Sequence, residues 1–398
     1  MSKAVLVILR LVSTLVPLVF LFSIYTLLHK FDYFNPFVKL AAFAAVFMMI
    51  VIFQLLDHRR KASPCALWIE VAMLSVLLIT VCVVHGGKYE AAAFNPPISD
   101  IGYTTIHAVN SLVNEHRNPY SRSDINYVQT DLDPGYRGFH YGPGMMAGYT
   151  ATAFSPTMGY RLTNLVYLLI TLILLILLIR KPDESLPERL SNILFVFTAY
   201  FLAERFWIEM LPEGANDIFH VMLILAALLA LKKDRVFWSG LLTGFSCSAK
   251  FAPGMFLVPF MPLRQRNFWL GLALGLSPYL PFVFWDYAGL WRNAFWLRVI
   301  VQNDGTGLYW VTPKEFQWIY GAIALIAFVS AFMWAIRREL KYESVLVGFA
   351  LLLIVVDITQ RQVHGNHLIW FYPVFAILFM GYRERLFGLF SSRMEASV

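Results

Sequence analysis

One polar segment, residues 86–141, holds many of the side chains that could do chemistry in an otherwise hydrophobic chain. Asp100 follows two prolines there and precedes apolar residues at helical spacing, which predicts an amphipathic helix. An aspartate at such a position either caps the helix or, held near a bilayer, acts as a general base that takes a proton from a hydroxyl. The other ionisable residues of the segment include His107, Glu115, His116, Asp124, Asp131, Asp133 and His140.

A single lysine, Lys250, interrupts the apolar stretch 236–263, which has basic residues at both ends. A charged side chain inside a bilayer costs roughly 3 kcal/mol or more unless it is paired or hydrated, so a function is predicted for Lys250 by default. The alternative is that its ammonium group reaches the membrane interface and has no further role. Because both flanking basic clusters are expected on the cytoplasmic side, the stretch is interpreted as a hairpin of two short helices with Lys250 near its tip.

Two further polar segments are candidates for binding. One carries Arg361, His364 and His367, which either bind an anion or are solvated loop residues. The two histidines could bind a metal ion only with a third ligand, which the sequence does not supply, so neither a metal nor a cofactor is predicted. In the other segment, a short acidic turn, Asp217 either contacts a hydroxyl group of a substrate or caps the helix that follows.

The composition predicts an all-α polytopic membrane protein. Of 398 residues, 59% are hydrophobic and only 14% charged, and the mean hydropathy is +0.62, whereas soluble domains are about 25% charged. The net charge of +7 could indicate a nucleic-acid partner. However, the basic residues form short clusters beside apolar runs, which is typical of membrane topology signals. We therefore predict no nucleic-acid partner and treat 1–398 as a single integral membrane domain.

Apolar runs of about 20 residues, the length that crosses a bilayer as a helix, recur along the chain. If every basic cluster is cytoplasmic, the chain makes about twelve crossings, counting both arms of 236–263, and both termini are cytoplasmic. The outer side then holds the long loop 86–157, in which Gly142–Ser155 is interpreted as a re-entrant helix or a helix on the membrane surface. The other predicted spans are 4–28, 38–56, 65–85, 158–180, 191–209, 216–232, 267–285, 317–336, 343–359 and 367–382.

The order and spacing of these features resemble a known family. The string SDIGYTTIHAVNSLVNEHRNPYS, followed by FHYGPG, is similar to the first extracytoplasmic loop of the polyprenyl-phosphate-sugar-dependent glycosyltransferases of the GT-C superfamily. The stretch 214–260, with a polar turn, a span, a basic turn and one lysine, is similar to a later part of these proteins. The nearest resemblance is to glycosyltransferase family 87, which includes phosphatidylinositol-mannoside mannosyltransferases. The motif residues are Asp100, Asn118–Pro119–Tyr120 and Tyr141–Gly142–Pro143.

The resemblance implies a GT-C-type helical bundle that transfers a hexose, with mannose as the expected sugar, from a polyprenyl-phosphate donor to a lipid or glycan acceptor. Asp100 would be the catalytic base of an inverting reaction. Because negative charge develops on the leaving phosphate, cationic groups are expected to stabilise it. The residues expected to bind this phosphate are Lys250, Arg361, His364 and His367. The residues expected to contact the substrates are His107, Tyr120, His140, Tyr141 and Asp217. The implied location is a bacterial plasma membrane, with the active site facing outward.

Two other classes of function are open at the level of sequence. A multi-span transporter or lipid-linked-sugar flippase would explain the many crossings, but it predicts paired broken helices near the bilayer midplane. The sequence contains one such element, 249–253, without an equivalent in its other half. A structural membrane protein would need neither Asp100 nor Lys250. Loss of activity in a folded Asp100→Asn variant would favour the enzyme over both alternatives.

Overall fold

The computed structural model describes only part of the chain. The described residues are 65, 67–76, 78–79, 100–122, 125, 138–181, 184–202, 216–295, 313–336, 341–359, 370, 373–374, 376–378 and 380–381. Throughout these residues the regular structure is helical, without a strand. The predicted spans 4–28 and 38–56 lie outside the described residues, as does the predicted phosphate-binding segment 361–367.

The chain forms two compact units. The first comprises Met1–Ala91, Leu175–Trp207 and Tyr372–Val398, and the second comprises Ala92–Leu174 and Ile208–Phe371. The prediction of one domain over 1–398 stays a prediction. The helices, in chain order, are α1 Leu67–Val76, α2 Asp100–Val113, α3 Pro143–Gly148, α4 Pro156–Ile179, α5 Leu186–Leu202, α6 Asp217–Lys232, α7 Val236–Ala249, α8 Phe251–Gly254, α9 Arg266–Gly275, α10 Tyr279–Leu290, α11 Trp318–Ile336 and α12 Tyr342–Thr359. In the first unit, the buried Glu70 of α1 accepts a hydrogen bond from Ser191 of α5.

Membrane-spanning length and composition are met by two of the described helices, α4 and α11. Helices α9 and α10 are bent by 58° at the break between them and together could form a third span. The prediction of an all-helical integral membrane protein is confirmed to this extent. Helices α4, α6, α11 and α12 also begin and end within two residues of predicted spans. The prediction of about twelve crossings includes residues outside the described part and stays a prediction.

Helices α7 and α9 pack with their backbones in direct contact. Each carries two glycines four residues apart, Gly240 and Gly244 on α7 and Gly271 and Gly275 on α9. A Cβ atom at Gly240 would lie 2.1 Å from the carbonyl oxygen of Phe268, and one at Gly275 would lie 2.2 Å from that of Leu241. Small residues at this spacing allow membrane helices to approach closely. The contact fixes α7, the helix that leads to Lys250.

The predicted amphipathic helix is present as α2, but its apolar face lies against protein. Val109 is fully buried and Ile106 nearly so, in a core cluster that also contains Met145 and Tyr149. An amphipathic helix beside a membrane is expected to lie with its apolar face on the bilayer. The six residues of α3 and the adjoining 3₁₀ turn Thr150–Ala153 supply the apolar surface that covers it instead.

The segment Gly142–Ser155 is too short in its regular parts to cross a bilayer, since six helical residues rise only about 9 Å. Met145 and Met146 are buried, and the Gly142 amide donates a hydrogen bond to the Ala249 carbonyl at 3.0 Å. The segment is therefore packed against protein, and its place relative to the bilayer stays a prediction.

The stretch 236–263 differs from the predicted hairpin in its second arm. The first arm is α7, and Lys250 ends it with an extended backbone. The second arm is not one helix: it contains the four-residue α8, a turn, and the 3₁₀ helix Val258–Phe260. The cause is proline, since Ala252, which precedes Pro253, is non-helical as expected for a residue in that position.

Candidate functional site

A buried ion pair joins two residues that the sequence analysis singled out separately. Lys250 Nζ lies 2.6 Å from Asp217 Oδ1, with the Asp217 side chain fully buried and that of Lys250 15% exposed. The two residues are 33 positions apart. They meet because α6 and α7 are consecutive helices joined by a short turn, so the start of α6 lies beside the end of α7. An acidic group at a helix N-terminus and a basic group at a C-terminus also suit both helix dipoles.

Two further side chains contact the same carboxylate oxygen. Trp370 donates its indole N–H to Asp217 Oδ1 at 3.1 Å, and His220 Nε2 lies 3.5 Å from that oxygen, three residues along α6. The Trp370 and His220 rings meet edge to face at 5.4 Å. Sequence reasoning missed both residues. His220 could have been found from its spacing to Asp217, whereas Trp370 reaches the site only through the tertiary fold.

The Lys250 ammonium group also lies near two aromatic rings. Its Nζ is 5.6 Å from the centroid of the Tyr141 ring and 5.5 Å from that of Trp370. Aromatic faces within about 6 Å attract a cation, more strongly where water is excluded. The cation is therefore held by one carboxylate and two rings.

A hydrogen bond between the two loop motifs, Asn118–Pro119–Tyr120 and Tyr141–Gly142–Pro143, positions Tyr141. The Tyr120 hydroxyl donates to the Tyr141 carbonyl at 2.8 Å, and the next residue, Gly142, is bonded to Ala249 at the end of α7. Burial raises the pKa of the Tyr120 phenol well above its ordinary value, so the hydroxyl remains a donor. The Asn118–Pro119–Tyr120 motif thus supports the Tyr141 ring against Lys250.

The same loop is anchored to the end of α10. Asn293 donates its side-chain amide to the Tyr120 carbonyl at 2.8 Å, and the Ser121 hydroxyl donates to Asp286 Oδ2 at 2.6 Å. Asp286 lies at a kink in α10, where its backbone leaves helical geometry, and its other oxygen accepts from the Gly289 amide. The kink places the Asp286 carboxylate where it accepts a hydrogen bond from the loop.

Helix α2, which begins at Asp100, contacts the start of α6. The Asn216 side-chain amide donates to Thr105 Oγ1 at 3.2 Å, and Asn216 directly precedes Asp217. Thr105 follows Asp100 by five residues, which is roughly 7.5 Å along a helix axis. Asp100 is the first residue of α2, and its side chain lies outside the described residues.

The remaining predicted site residues have different surroundings. His107 is exposed on α2, with its ring 4.0 Å from that of Tyr103. His140 is 5% exposed and packs against Tyr141 with ring centroids 4.2 Å apart. Tyr120 is 1% exposed. The structure therefore groups Asp217, Lys250 and Tyr141 directly, with Tyr120 and His140 behind Tyr141.

The described part of the chain contains no group of three histidine, cysteine, aspartate or glutamate side chains that could hold a metal ion. Asp217 and His220 are two such groups, and the carboxylate also lies beside the cation of Lys250. The arrangement can hold negative charge brought by a substrate, because a positively charged group lies in a largely water-excluded site.

The family model of glycosyltransferase family 87 matches residues 139–360, more than half of the chain. An all-helical membrane protein with a buried cationic site is the class that the described residues define. The chain belongs to glycosyltransferase family 87, which confirms the resemblance noted from the sequence. It is accordingly a membrane glycosyltransferase that uses a sugar donor and an acceptor. The match includes Tyr141, Asp217 and Lys250, begins after Asp100 and ends just before Arg361. The comparisons with curated proteins and with solved structures gave no match.

Proposed function

We propose that this protein transfers a hexose, with mannose as the expected sugar, from a polyprenyl-phosphate donor to a lipid or glycan acceptor outside the cytoplasm. The observation that carries the proposal is the Lys250 cation, held 2.6 Å from a buried carboxylate at the end of an apolar helix. A phosphate attached to a membrane lipid needs a positive group at this kind of position, because charge develops on it as the sugar leaves.

Asp100 is the proposed general base. It takes the proton of the acceptor hydroxyl while that oxygen attacks the anomeric carbon on the face opposite the phosphate, which inverts the configuration. Two observations support this role: the residue begins α2, and α2 contacts Asn216 beside the Asp217–Lys250 pair. A positioned general base typically accelerates proton transfer by about 10²–10⁴-fold.

Arg361, His364 and His367 are proposed to share the donor phosphate with Lys250. Trp370, which contacts Asp217, follows His367 by three residues. Three residues of chain span at most about 11 Å. This short connection supports grouping the segment with Lys250.

The substrate contacts are proposed to come from two places. Tyr141 presents its ring beside Lys250, and the buried Tyr120 and His140 act by holding it there. His107 lies on α2 seven residues after Asp100, a spacing that places both on one helix face. Asp217 is fully buried beside Lys250, and its predicted sugar contact stays a prediction. Neither a cofactor nor a metal ion is part of the proposal.

The decisive experiment is the transfer of radiolabelled mannose from polyprenyl-phosphate mannose to lipids extracted from the native membrane. Wild type should transfer the label, and Asp100→Asn should lose at least about 100-fold of that rate. Asp131→Asn, a change of the same type in the same outer loop, is the matched control and should keep the wild-type rate. Equal activity in Asp100→Asn would exclude Asp100 as the base.

The stereochemical part of the proposal has its own test. The anomeric configuration of the product, determined by NMR spectroscopy, should be opposite to that of the donor. Retention would exclude direct attack by the acceptor. Absence of transfer from mannose, glucose and arabinose donors on polyprenyl phosphate would exclude the donor class.

A further inference from the structure

The Asp217 side chain is surrounded by protein groups in this structure, and its sugar contact expected from sequence stays a prediction. The residue is fully buried. One of its oxygens lies 2.6 Å from the Lys250 ammonium nitrogen and 3.1 Å from the Trp370 indole nitrogen, with His220 Nε2 at 3.5 Å. These contacts all come from protein groups that can donate. The carboxylate therefore interacts directly with Lys250, and its effect on a substrate would pass through that lysine.

A lysine in these surroundings needs a nearby negative charge to remain an ammonium ion. The Lys250 side chain is only 15% exposed, and burial favours the neutral amine. The two aromatic rings attract the cation, but less than an ion pair at hydrogen-bond distance does. Only the charged form can stabilise a departing phosphate.

An ammonium group has three N–H bonds, so a single carboxylate does not exhaust its capacity to donate. An ion pair at a fixed distance also restricts a flexible four-carbon side chain to one orientation. The indole N–H of Trp370 fixes the carboxylate in turn. Asp217 and Trp370 thus form a support for the cation at the end of α7.

We propose that Asp217 is a positioning residue: its carboxylate, held by Trp370, keeps Lys250 charged and oriented towards the donor phosphate. This inference rests on the proposed function, because it assumes that the phosphate binds Lys250. The role assigned to Asp217 is indirect, since the residue touches Lys250 and not the reacting atoms.

The test compares Asp217→Asn, Lys250→Arg and the double variant, each with the radiolabelled donor used above. Asn keeps the size of Asp but removes the charge, so Asp217→Asn should lose about tenfold or more of the transfer rate at neutral pH. Arginine stays charged without a partner. The double variant should therefore recover to within about threefold of Lys250→Arg alone. Tyr287→Phe, which removes an exposed hydroxyl, is the control and should keep full activity.

A pH series gives a second readout that a purely structural role would not move. Without the carboxylate, the buried ammonium loses its proton more readily as pH rises, so the rate of Asp217→Asn relative to wild type should fall from pH 6 to pH 8.5. Described titratable groups around the pair include Tyr141 beside Lys250, His220 at 3.5 Å from Asp217, and Tyr149 and Tyr160, which interact electrostatically with Asp217. The series is repeated in a His220→Asn background so that titration of this histidine does not contribute.

The outcomes separate the inference from the function on which it rests. The positioning role is supported by three results together: transfer by wild type, rescue of Asp217→Asn by Lys250→Arg, and a fall of the Asp217→Asn rate relative to wild type as pH rises. If the arginine variant alone is inactive, the pH series decides, and a ratio that is constant with pH overturns the inference. Transfer by wild type with neither rescue nor pH dependence overturns it as well. No transfer by wild type from any polyprenyl-phosphate donor overturns the proposed function, and the inference with it.

Discussion

The Lys250–Asp217 pair is proposed to serve function more than stability. Burying two charges costs nearly as much as their attraction returns, but removing only one leaves an uncompensated charge. Lys250→Met should therefore destabilise the protein by about 3–5 kcal/mol, because Asp217 is fully buried. The double variant Lys250→Met/Asp217→Leu should recover most of that loss. Thermal unfolding in detergent measures both.

Transfer activity distinguishes the two roles in the same variants. Because the proposed mechanism requires a positive charge beside the donor phosphate, neither Lys250→Met nor the double variant should transfer sugar, even where stability returns. A stable and active double variant would show that the pair is a structural contact only. Lys250→Arg is the matched control for charge, because it changes the side chain and keeps the cation.

Tyr120 tests the support behind the site. Tyr120→Phe removes the donor to the Tyr141 carbonyl at 2.8 Å and should cost about 1–3 kcal/mol, because a buried acceptor loses its partner. Since burial raises the pKa of Tyr120 well above its ordinary value, the phenol keeps its proton and the loss should be the same at pH 6 and pH 9. Tyr287→Phe, at a 59% exposed position, is the control. An equal effect of both changes in thermal unfolding would contradict the assignment.

At the scale of residues, the sequence predicted the charged groups of the site but not their partners. Lys250 was recognisable because ionisable groups in apolar stretches are costly and few, and Asp217 because it belongs to a short acidic turn before a predicted span. Their pairing was not predicted, since it depends on the closing of α6 against α7. Trp370 was unpredictable for the same reason, because an aromatic residue at a helix end is ordinarily an interfacial anchor.

At the scale of elements, the glycine contact between α7 and α9 decides where Lys250 lies. Gly244→Ala would place a Cβ atom 2.3 Å from the Leu272 carbonyl oxygen, so the helices must separate. Overpacking of this kind typically costs about 1–3 kcal/mol, and transfer should fall with it because α7 carries Lys250. The measurements are thermal unfolding and the transfer rate.

The chain offers a matched control for this change. Gly321 lies in α11, and a Cβ atom there would meet nothing within 4 Å. Gly321→Ala should leave stability unchanged or raise it by up to about 1 kcal/mol, because alanine favours a helix more than glycine does. If Gly244→Ala is as harmless as Gly321→Ala, the close contact does not position the site.

Periodicity and length were sufficient to predict several elements. Helices α2, α4, α6, α7, α11 and α12 follow from apolar spacing and run length. The 58° bend inside the predicted span 267–285 did not follow, nor did two further features. The apolar face of α2 packs on α3 and the adjoining turn, because this short buried segment supplies an apolar surface of its own. The second arm of the stretch 236–263 is irregular because Pro253 prevents helical geometry in the preceding residue.

At the scale of the whole molecule, composition alone predicted the class of protein. An all-helical membrane protein follows from few charges and long apolar runs, and α4 and α11 confirm it. The number of crossings depends on every run in the chain, including residues 4–28 and 38–56, which lie outside the described part. The orientation rests on the clustering of basic residues and stays a prediction.

The predicted orientation places the proposed base outside the cytoplasm, and cysteine labelling tests it. In a variant with Cys65 and Cys82 changed to serine and Cys247 to alanine, a single cysteine is introduced at Asp131 or at Ser185. Asp131 belongs to the predicted outer loop, so a membrane-impermeant maleimide should label it in intact cells. Ser185 follows Arg180 and Lys181 in a predicted cytoplasmic turn and should react only after lysis. Both variants should retain sugar transfer, so that labelling reports the functional fold. The reverse pattern would place Asp100 in the cytosol, and the acceptor would then have to be reached from that side.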